Sequence, residues 1–411
     1  MSTSRADEPA SRPQAGDGTA GEVFLAFLKL GLTSFGGPVA HLGYFREELV
    51  KRRGWLADDA YANLVALCQF LPGPASSQVG MAIGLLRAGP SGMAAAWLGF
   101  TLPSAVLMIA FALAVQNSGA ADLGRAGWLA GLKIAAVAVV ADAVLGMARQ
   151  LCPDRTRRAI ALLAAAAVTL VAGPLAQIGV IAAGALVGLA LLKSDRAPLA
   201  RDFHESHMPR RLPAALAFVV FLLLLIALPA LAGVISDPAL SLVDTFYRAG
   251  SLVFGGGHVV LPLLEAELVR PDGLTRDTFL AGYGAAQAVP GPLFTLVAYA
   301  GAMMPVPPNG IAGGLLALAA IFLPSALLLY GAIPFWSRLS SRPQVASAMM
   351  GVNAAVVGLL GATFWDPVVT SSLTSPLAVA LALVAYTALA VWRVPAWAMV
   401  AGAALAGAVL L

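Results

Sequence analysis

Apolar runs long enough to cross a membrane recur along the whole of this chain, and few folds can accommodate them. They fall near 23–43, 58–87, 91–115, 127–148, 159–172, 174–192 and 213–235, then near 244–264, 278–302, 310–335, 345–365, 374–391 and 394–411. A helix needs about 20 residues to cross roughly 30 Å of hydrocarbon. The runs are rich in Ala, Leu, Val and Gly and lack period-2 alternation, so they predict helices and not the strands of a membrane barrel. Of the 411 residues only 11% are charged, against about 25% in a soluble domain. So few charges cannot cover a water-facing surface. The expectation is an all-α integral membrane protein with about 13 transmembrane segments.

Basic residues orient these segments, because Lys and Arg concentrate in cytoplasmic loops. Arg149, Arg155, Arg157 and Arg158 lie in one loop, and Lys193, Arg196, Arg201, Arg210 and Arg211 in the longest polar one. Two spans separate the loops, which puts both in the cytoplasm together with the N-terminus, Arg87, Arg338, Arg342 and Arg393. Residues 1–20 are small and polar, lack the apolar stretch of a signal peptide, and read as a disordered cytoplasmic tail. The stretch REELVKRR at 46–53 disagrees, since thirteen crossings put it outside. Either 58–87 is re-entrant, or this amphipathic stretch sits on the outer surface. Cys68 and Cys152 suggest neither a disulfide framework nor a metal site, and Cys68 reads as a small core residue.

The chain repeats itself. Phe35-Gly36-Gly37 recurs as Phe254-Gly255-Gly256, and Gln69-Phe70-Leu71-Pro72-Gly73-Pro74 as Gln287-Ala288-Val289-Pro290-Gly291-Pro292. Leu102-Pro103-Ser104-Ala105 recurs as Leu323-Pro324-Ser325-Ala326. The separation stays near 220 residues. A duplication follows: a first repeat over 21–192, a basic cytoplasmic loop and linker helix over 193–239, and a second repeat over 240–411. Seven crossings between equivalent points would invert the second copy. Inverted repeats with broken helices are a plan of secondary transporters, whose substrate site lies near the midplane. Pro72 and Pro74, like Pro290 and Pro292, interrupt an apolar run and remove backbone donors. Backbone freed at that depth must line a cavity or meet protein partners.

The side chains near these breaks suit an anion. Lys29 and Arg248 occupy matching positions, either to attract a negative ligand or to snorkel to the interface. His41 and His258 follow the glycine turns and can titrate near neutral pH, although packing alone would account for them. Glu48 and Glu267 match across the repeat and read as solvated loop carboxylates. Lys133 and Asp142 share a span but lie on roughly opposite faces. Broken helices offer free N–H groups at the positive end of the helix dipole. Gly36, Gly37 and Gly73 let backbone approach a ligand. Ser76, Ser77, Gln78 and Thr295 follow the Pro-Gly-Pro turns, with Gln69 and Gln287 before them, and add hydroxyl and amide groups.

The stretches FLKLGLTSFGGPVAHLGYFREELVKRRGWL, ALCQFLPGPASSQVG and WLGFTLPSA, with LVFGGGHVVLPLLEAELV, GYGAAQAVPGPLF and FLPSALLLY in the second copy, resemble the chromate ion transporter family, long-chain two-domain type. The resemblance runs over nearly the whole chain from about residue 22. It implies export of chromate from the cytoplasm through the plasma (inner) membrane and chromate resistance. Sulfate is the look-alike competitor, and the membrane potential or protons supply the drive. Membrane lipid is the solvent, and a homodimer is among the expectations; nucleic acid, cofactor and metal are not. The family's motif residues carry over at Ser34, Phe35, Gly36, Gly37, Pro38, His41, Pro72, Gly73 and Pro74. In the second copy they are Phe254, Gly255, Gly256, Gly257, His258, Pro290, Gly291 and Pro292. Gly257 stands where the first copy has Pro38, so the half-sites need not be equivalent. An intramembrane enzyme would need clustered acidic or histidine groups, which four histidines do not supply. A carrier of sulfate or another anion, or an anion channel, remains an alternative.

Overall fold

The computed structural model describes residues 18–35, 37–117, 127–171, 174–193, 208–253, 260–271, 273–336 and 342–411. The described residues are almost wholly helical and contain no strand. The first repeat comprises α1 (Ala20–Thr33), α2 (Gly37–Phe45, running on as a π-helical turn to Arg52), α3 (Asp58–Phe70), α4 (Ala75–Asn117), α5 (Gly127–Leu151), α6 (Arg155–Leu170) and α7 (Pro174–Leu191). The linker helix is α8 (Arg211–Val234). The second repeat comprises α9 (Pro238–Leu252), α10 (Val260–Leu268), α11 (Arg276–Ala288), α12 (Leu296–Ala302), α13 (Gly310–Ala332), α14 (Pro343–Thr363), α15 (Pro376–Tyr386) and α16 (Ala396–Leu410).

Among the described residues five helical stretches are long and apolar enough to cross a membrane: Ala75–Asn117, Gly127–Leu151, Arg211–Val234, Gly310–Phe335 and Pro343–Ser372. Their outward faces carry the large apolar side chains that water would reject. On α8 these include Leu212, Leu216, Leu222, Leu223 and Ile226. Lipid is the solvent that such a surface fits.

The short helices pair into hairpins instead of running straight. Lys29 on α1 and Glu48 beyond α2 stand nineteen residues apart, about 28 Å along a continuous helix. Their Nζ and Oε2 atoms nevertheless meet at 3.0 Å, and Phe27 packs edge-on against Phe45 at 5.5 Å. The chain therefore reverses near Ser34 and Phe35. The matching pair in the second repeat, Arg248 and Glu267, meets at 3.3 Å and reverses the chain between α9 and α10. Trp55 before α3 lies beneath the guanidinium of Arg87, 5.3 Å from its ring centre, so α3 and the start of α4 form a second hairpin about Pro72-Gly73-Pro74. The Tyr299 hydroxyl donates to the Thr278 carbonyl at 3.1 Å, which closes α11 and α12 about Pro290-Gly291-Pro292.

α4 is itself two helices. Ala88 (φ −142°, ψ 27°) and Gly89 (φ 66°, ψ −159°) leave helical geometry just before Pro90. A Cβ on Gly84 would stand 2.3 Å from the Gly92 carbonyl oxygen, eight residues on, so the arms fold back to back. The long second arm then packs against α1, where Gly31 abuts the Gly99 and Phe100 carbonyls. In the second repeat Gly250 of α9 abuts the Ile321 carbonyl of α13. Small residues let membrane helices approach backbone to backbone. The same device joins α5 to α16 through Gly131 and Ala403, and α7 to α14 through Gly184 and Gly351.

Candidate functional site

The described ends of the hairpins converge, the Pro72-Gly73-Pro74 and Pro290-Gly291-Pro292 turns meeting Val253 and Ser34. The Gly73 N–H donates to the Val253 carbonyl at 2.6 Å, and the Gly291 N–H donates to the Ser34 carbonyl at 2.9 Å. Each Pro-Gly-Pro turn is thus bonded to the break that ends the first helix of the other repeat. Gly73 (φ +124°) and Gly291 (φ +96°) occupy backbone regions that disfavour any residue with a Cβ. Space forbids a side chain too. A Cβ on Gly73 would lie 2.1 Å from the Ser325 Oγ and 2.7 Å from the Gln78 Nε2. One on Gly291 would lie 2.9 Å from the Ser104 Oγ and 3.2 Å from the Phe100 carbonyl oxygen. The third repeated motif, Leu-Pro-Ser-Ala, therefore also converges here, each serine facing the opposite repeat's glycine.

Polar groups crowd this apolar interior. The Gln78 side-chain amide donates to the Pro72 carbonyl at 2.7 Å, and the Thr295 hydroxyl donates to the Pro292 carbonyl at 2.8 Å. His41 is buried with its Nδ1 3.3 Å from the Ser76 Oγ and its ring edge-on to Phe100 at 5.2 Å. Among the described residues, the Ser34, Ser77, Thr101 and Ser325 hydroxyls, His41 Nε2, Gln78 Oε1 and Gln287 Nε2 are buried without a hydrogen-bond partner. A buried polar group left unpaired costs about 1–3 kcal/mol. Concentrating several at one place is tolerable where a polar ligand or water completes them.

The expected site residues fall in several places. Ser34, Pro72, Gly73, Pro74, Ser76, Ser77, Pro290, Gly291 and Pro292 lie at or beside the tips, with His41 bonded to Ser76. Phe35, Gly37 and Pro38 are half-buried at the first break, and Phe35 packs against Trp397 of α16 at 6.1 Å. Gln287 is half-buried just before the second turn, whereas Gln69 points outward and is exposed. Gly36, Phe254, Gly255, Gly256, Gly257 and His258 lie outside the described residues. Lys29 and Arg248 stand on the hairpin flanks, paired with Glu48 and Glu267. The two matched carboxylates are thus ion-paired and largely buried, not solvated as loop residues. Ser104, Ser325 and the Val253 carbonyl were not foreseen as site groups. The recurrence of Leu-Pro-Ser-Ala carried the signal for the two serines.

Other features lie apart. Lys133 pairs with Asp277 of the second repeat at 2.9 Å, while Asp142 on the same helix is exposed. Cys68 is fully buried in the core. Among the described residues no group of His, Cys, Asp or Glu has the makings of a metal site. A cavity of about 190 Å³ opens at the base of the α9–α10 hairpin, lined by Ser241, Thr245, Glu267, Arg270, Met304 and Val306 among others.

Comparison with known proteins agrees with this two-repeat architecture. The family described as chromate transporter matches residues 21–189 and again 240–408. A chromate transport protein of Pseudomonas aeruginosa is 29% identical over 359 residues, covering 84% of this chain and 80% of its own. One from Cupriavidus metallidurans is 28% identical over 344 residues, covering 82% and 80%. An uncharacterized transporter of Methanocaldococcus jannaschii is 26% identical over 340 residues, covering 82% of each. No solved structure matches the chain. Matched twice along its length, at the two halves that carry the converging motifs, this multi-pass helical protein belongs to the chromate transporter family.

Proposed function

We propose that this chain is a secondary transporter that exports chromate from the cytoplasm through the inner (plasma) membrane and so confers chromate resistance. The observation that carries the reading is the reciprocal bonding of the hairpin tips, Gly73 to Val253 and Gly291 to Ser34. The two amides sit at the positive ends of helical segments, where an oxyanion binds well. A tetrahedral dianion accepts the same hydrogen bonds that the Val253 and Ser34 carbonyls accept. Binding it loosens the contact between the repeats, and releasing it restores that contact. Alternating access then follows from one set of donors with two alternative acceptors. The neighbouring Ser77 and Ser325 hydroxyls, which have no hydrogen-bond partner among the described residues in this arrangement, donate further bonds to the ligand's remaining oxygens.

The hairpin geometry also supports a different count of crossings from thirteen. Arms such as α3, with 13 residues, rise about 20 Å and fall short of the hydrocarbon thickness. Reading the four hairpins as re-entrant leaves nine crossings: the second arm of α4, α5 to α8, and α13 to α16. Residues 46–53 then return to the cytoplasmic side of the N-terminus, in accord with the distribution of basic residues. The second repeat is inverted, and its hairpins enter from outside. An impermeant thiol reagent acting on Lys51→Cys, in a background lacking Cys68 and Cys152, tests this. Labelling from the cytoplasmic face supports the re-entrant arrangement, and labelling from outside returns thirteen spans.

An inside-negative potential favours outward movement of a dianion by about 2.3 kcal/mol per charge per 100 mV. At about 150 mV this is roughly 7 kcal/mol, sufficient for efflux without a coupled proton. The deciding measurement is radiolabelled chromate uptake into inverted vesicles, with sulfate as competitor. Saturable uptake that collapses with the potential supports the reading. Its absence from inserted protein, with uptake of sulfate or another anion, assigns the same architecture to a different substrate.

A further inference from the structure

We infer that the first repeat carries a loading site for the dianion, built from Lys29, Arg52 and Arg53 around Glu48, and that the second repeat lacks one. The inference rests on the transport reading and adds to it where the substrate is first captured. Glu48 is nearly buried and accepts three cations: Lys29 Nζ at 3.0 Å and Arg52 Nη1 at 2.8 Å on Oε2, and Arg53 Nε at 3.0 Å on Oε1. Three positive charges on one negative leave an excess of two. The cations keep water-facing surface, half of the Lys29 side chain and 63% of that of Arg52 being exposed. A ligand can therefore reach them without unfolding the pair.

Among the described side chains nearby, three further cations are each paired with a carboxylate. Lys51 pairs with Glu47 at 2.8 Å, Arg46 with Asp58 at 2.7 Å, and Arg87 with Glu22 at 3.3 Å. The excess is thus focused on the groups around Glu48, at the open base of the hairpins whose tips form the central site.

The second repeat arranges the same positions oppositely. Arg248, the counterpart of Lys29, lies between two largely buried carboxylates, Asp244 at 2.8 Å and Glu267 at 3.3 Å. Asp244 replaces Leu25, while Pro271 and Asp272 replace Arg52 and Arg53. Arg270 reaches Glu267 only at 3.9 Å. Two cations on two carboxylates leave no excess. A charged cleft concentrates ligands of opposite sign and raises their rate of entry, an effect that salt screens. One mouth then captures the dianion and the other lets it go, which biases the carrier toward export.

The test is the KM for radiolabelled chromate in inverted vesicles at low ionic strength, normalised to inserted protein. The double substitution Arg52→Gln with Arg53→Gln is expected to raise KM at least fivefold with the maximal rate retained. Added salt should shrink the difference. Glu48→Gln is expected to act in the opposite sense, lowering KM about threefold, because it removes the one counter-charge and keeps the shape. Arg342→Gln, a cation outside the cluster, should leave KM unchanged. The loading site is overturned if KM stays put in the arginine variant, if Glu48→Gln raises it, or if Arg342→Gln raises it equally. Loss of maximal rate in both cluster variants with KM unmoved would make the cluster a structural clasp. An unsubstituted chain that carries no oxyanion removes both readings, whereas a transporting chain with unresponsive variants removes the loading site alone.

Discussion

The two repeats agree where backbone makes the contacts and disagree where side chains do. At the tips the pattern is nearly symmetric: a glycine amide on the other repeat's carbonyl, facing the other repeat's serine. Around the tips it diverges, since Ser76, Ser77 and Gln78 are answered by Phe294, Thr295 and Leu296. At the hairpin bases the matched pair is kept, Lys29 with Glu48 and Arg248 with Glu267, but its surroundings differ. In the first repeat Trp55 lies beneath both Arg53 and Arg87, with Arg87 held by Glu22. In the second, Leu274 and Ser241 replace Trp55 and Glu22, and the cavity of about 190 Å³ opens beside them. The lesson is that a duplicated scaffold can keep its moving part in the backbone and still assign different duties to its two ends.

The harshest test of the symmetry is Gly73→Leu beside Gly291→Leu. Both should abolish chromate flux in inverted vesicles while membrane insertion is kept, because neither turn has room for a side chain. A finer comparison uses alanine. Both positions carry a positive-φ penalty of roughly 1–2 kcal/mol, but the added Cβ meets Ser325 at 2.1 Å in the first turn and Ser104 at 2.9 Å in the second. Gly73→Ala should therefore lose more than tenfold in flux and Gly291→Ala several-fold. Equal losses would mean that strain and not the opposing serine sets the limit.

Stability separates the flanks. Arg248→Gln strands Asp244 and leaves Glu267 with Arg270 alone at 3.9 Å, both carboxylates being largely buried, and removing one partner of a buried pair costs about 3–5 kcal/mol. Lys29→Gln leaves Glu48 with two arginines, and the lysine is half exposed, so under about 1 kcal/mol is expected. Thermal unfolding in detergent should show the larger drop for Arg248→Gln. The smallest effect is expected from Lys133→Gln, whose tie to Asp277 has no ion-pair counterpart at Asn353 among the described residues. Asp277 is half exposed, and a shift in unfolding temperature of a few degrees at most should follow.

The repeated motifs were readable in sequence, and so was the class of fold, because apolar composition and spacing follow directly from a lipid environment. The reversal of the chain was legible only as one of two alternatives for 58–87. Residues 58–87 read as one long apolar run, since hydropathy does not register the direction in which a helix travels. The run is two arms about Pro72-Gly73-Pro74, each near 20 Å. Glu48 and Glu267 were misjudged for the same reason. Reading them as loop residues assumed that the preceding helix had crossed the membrane, whereas the turn at Ser34 brings Glu48 back onto Lys29. Partner choice across the repeats, such as Gly291 with Ser34 or Lys133 with Asp277, has no local signature, because residues far apart in sequence decide it.

The crossed bonds at the tips mean that neither repeat owns a complete junction. Each contributes one amide and lends one carbonyl, so both junctions are hybrids. A lesion confined to one repeat is felt at two places, and a repeat expressed by itself would have donors and acceptors that face nothing of its own. Mutual dependence of that kind would hold the two copies in step through their later divergence. Side chains could drift apart freely so long as the paired turns continued to fit each other.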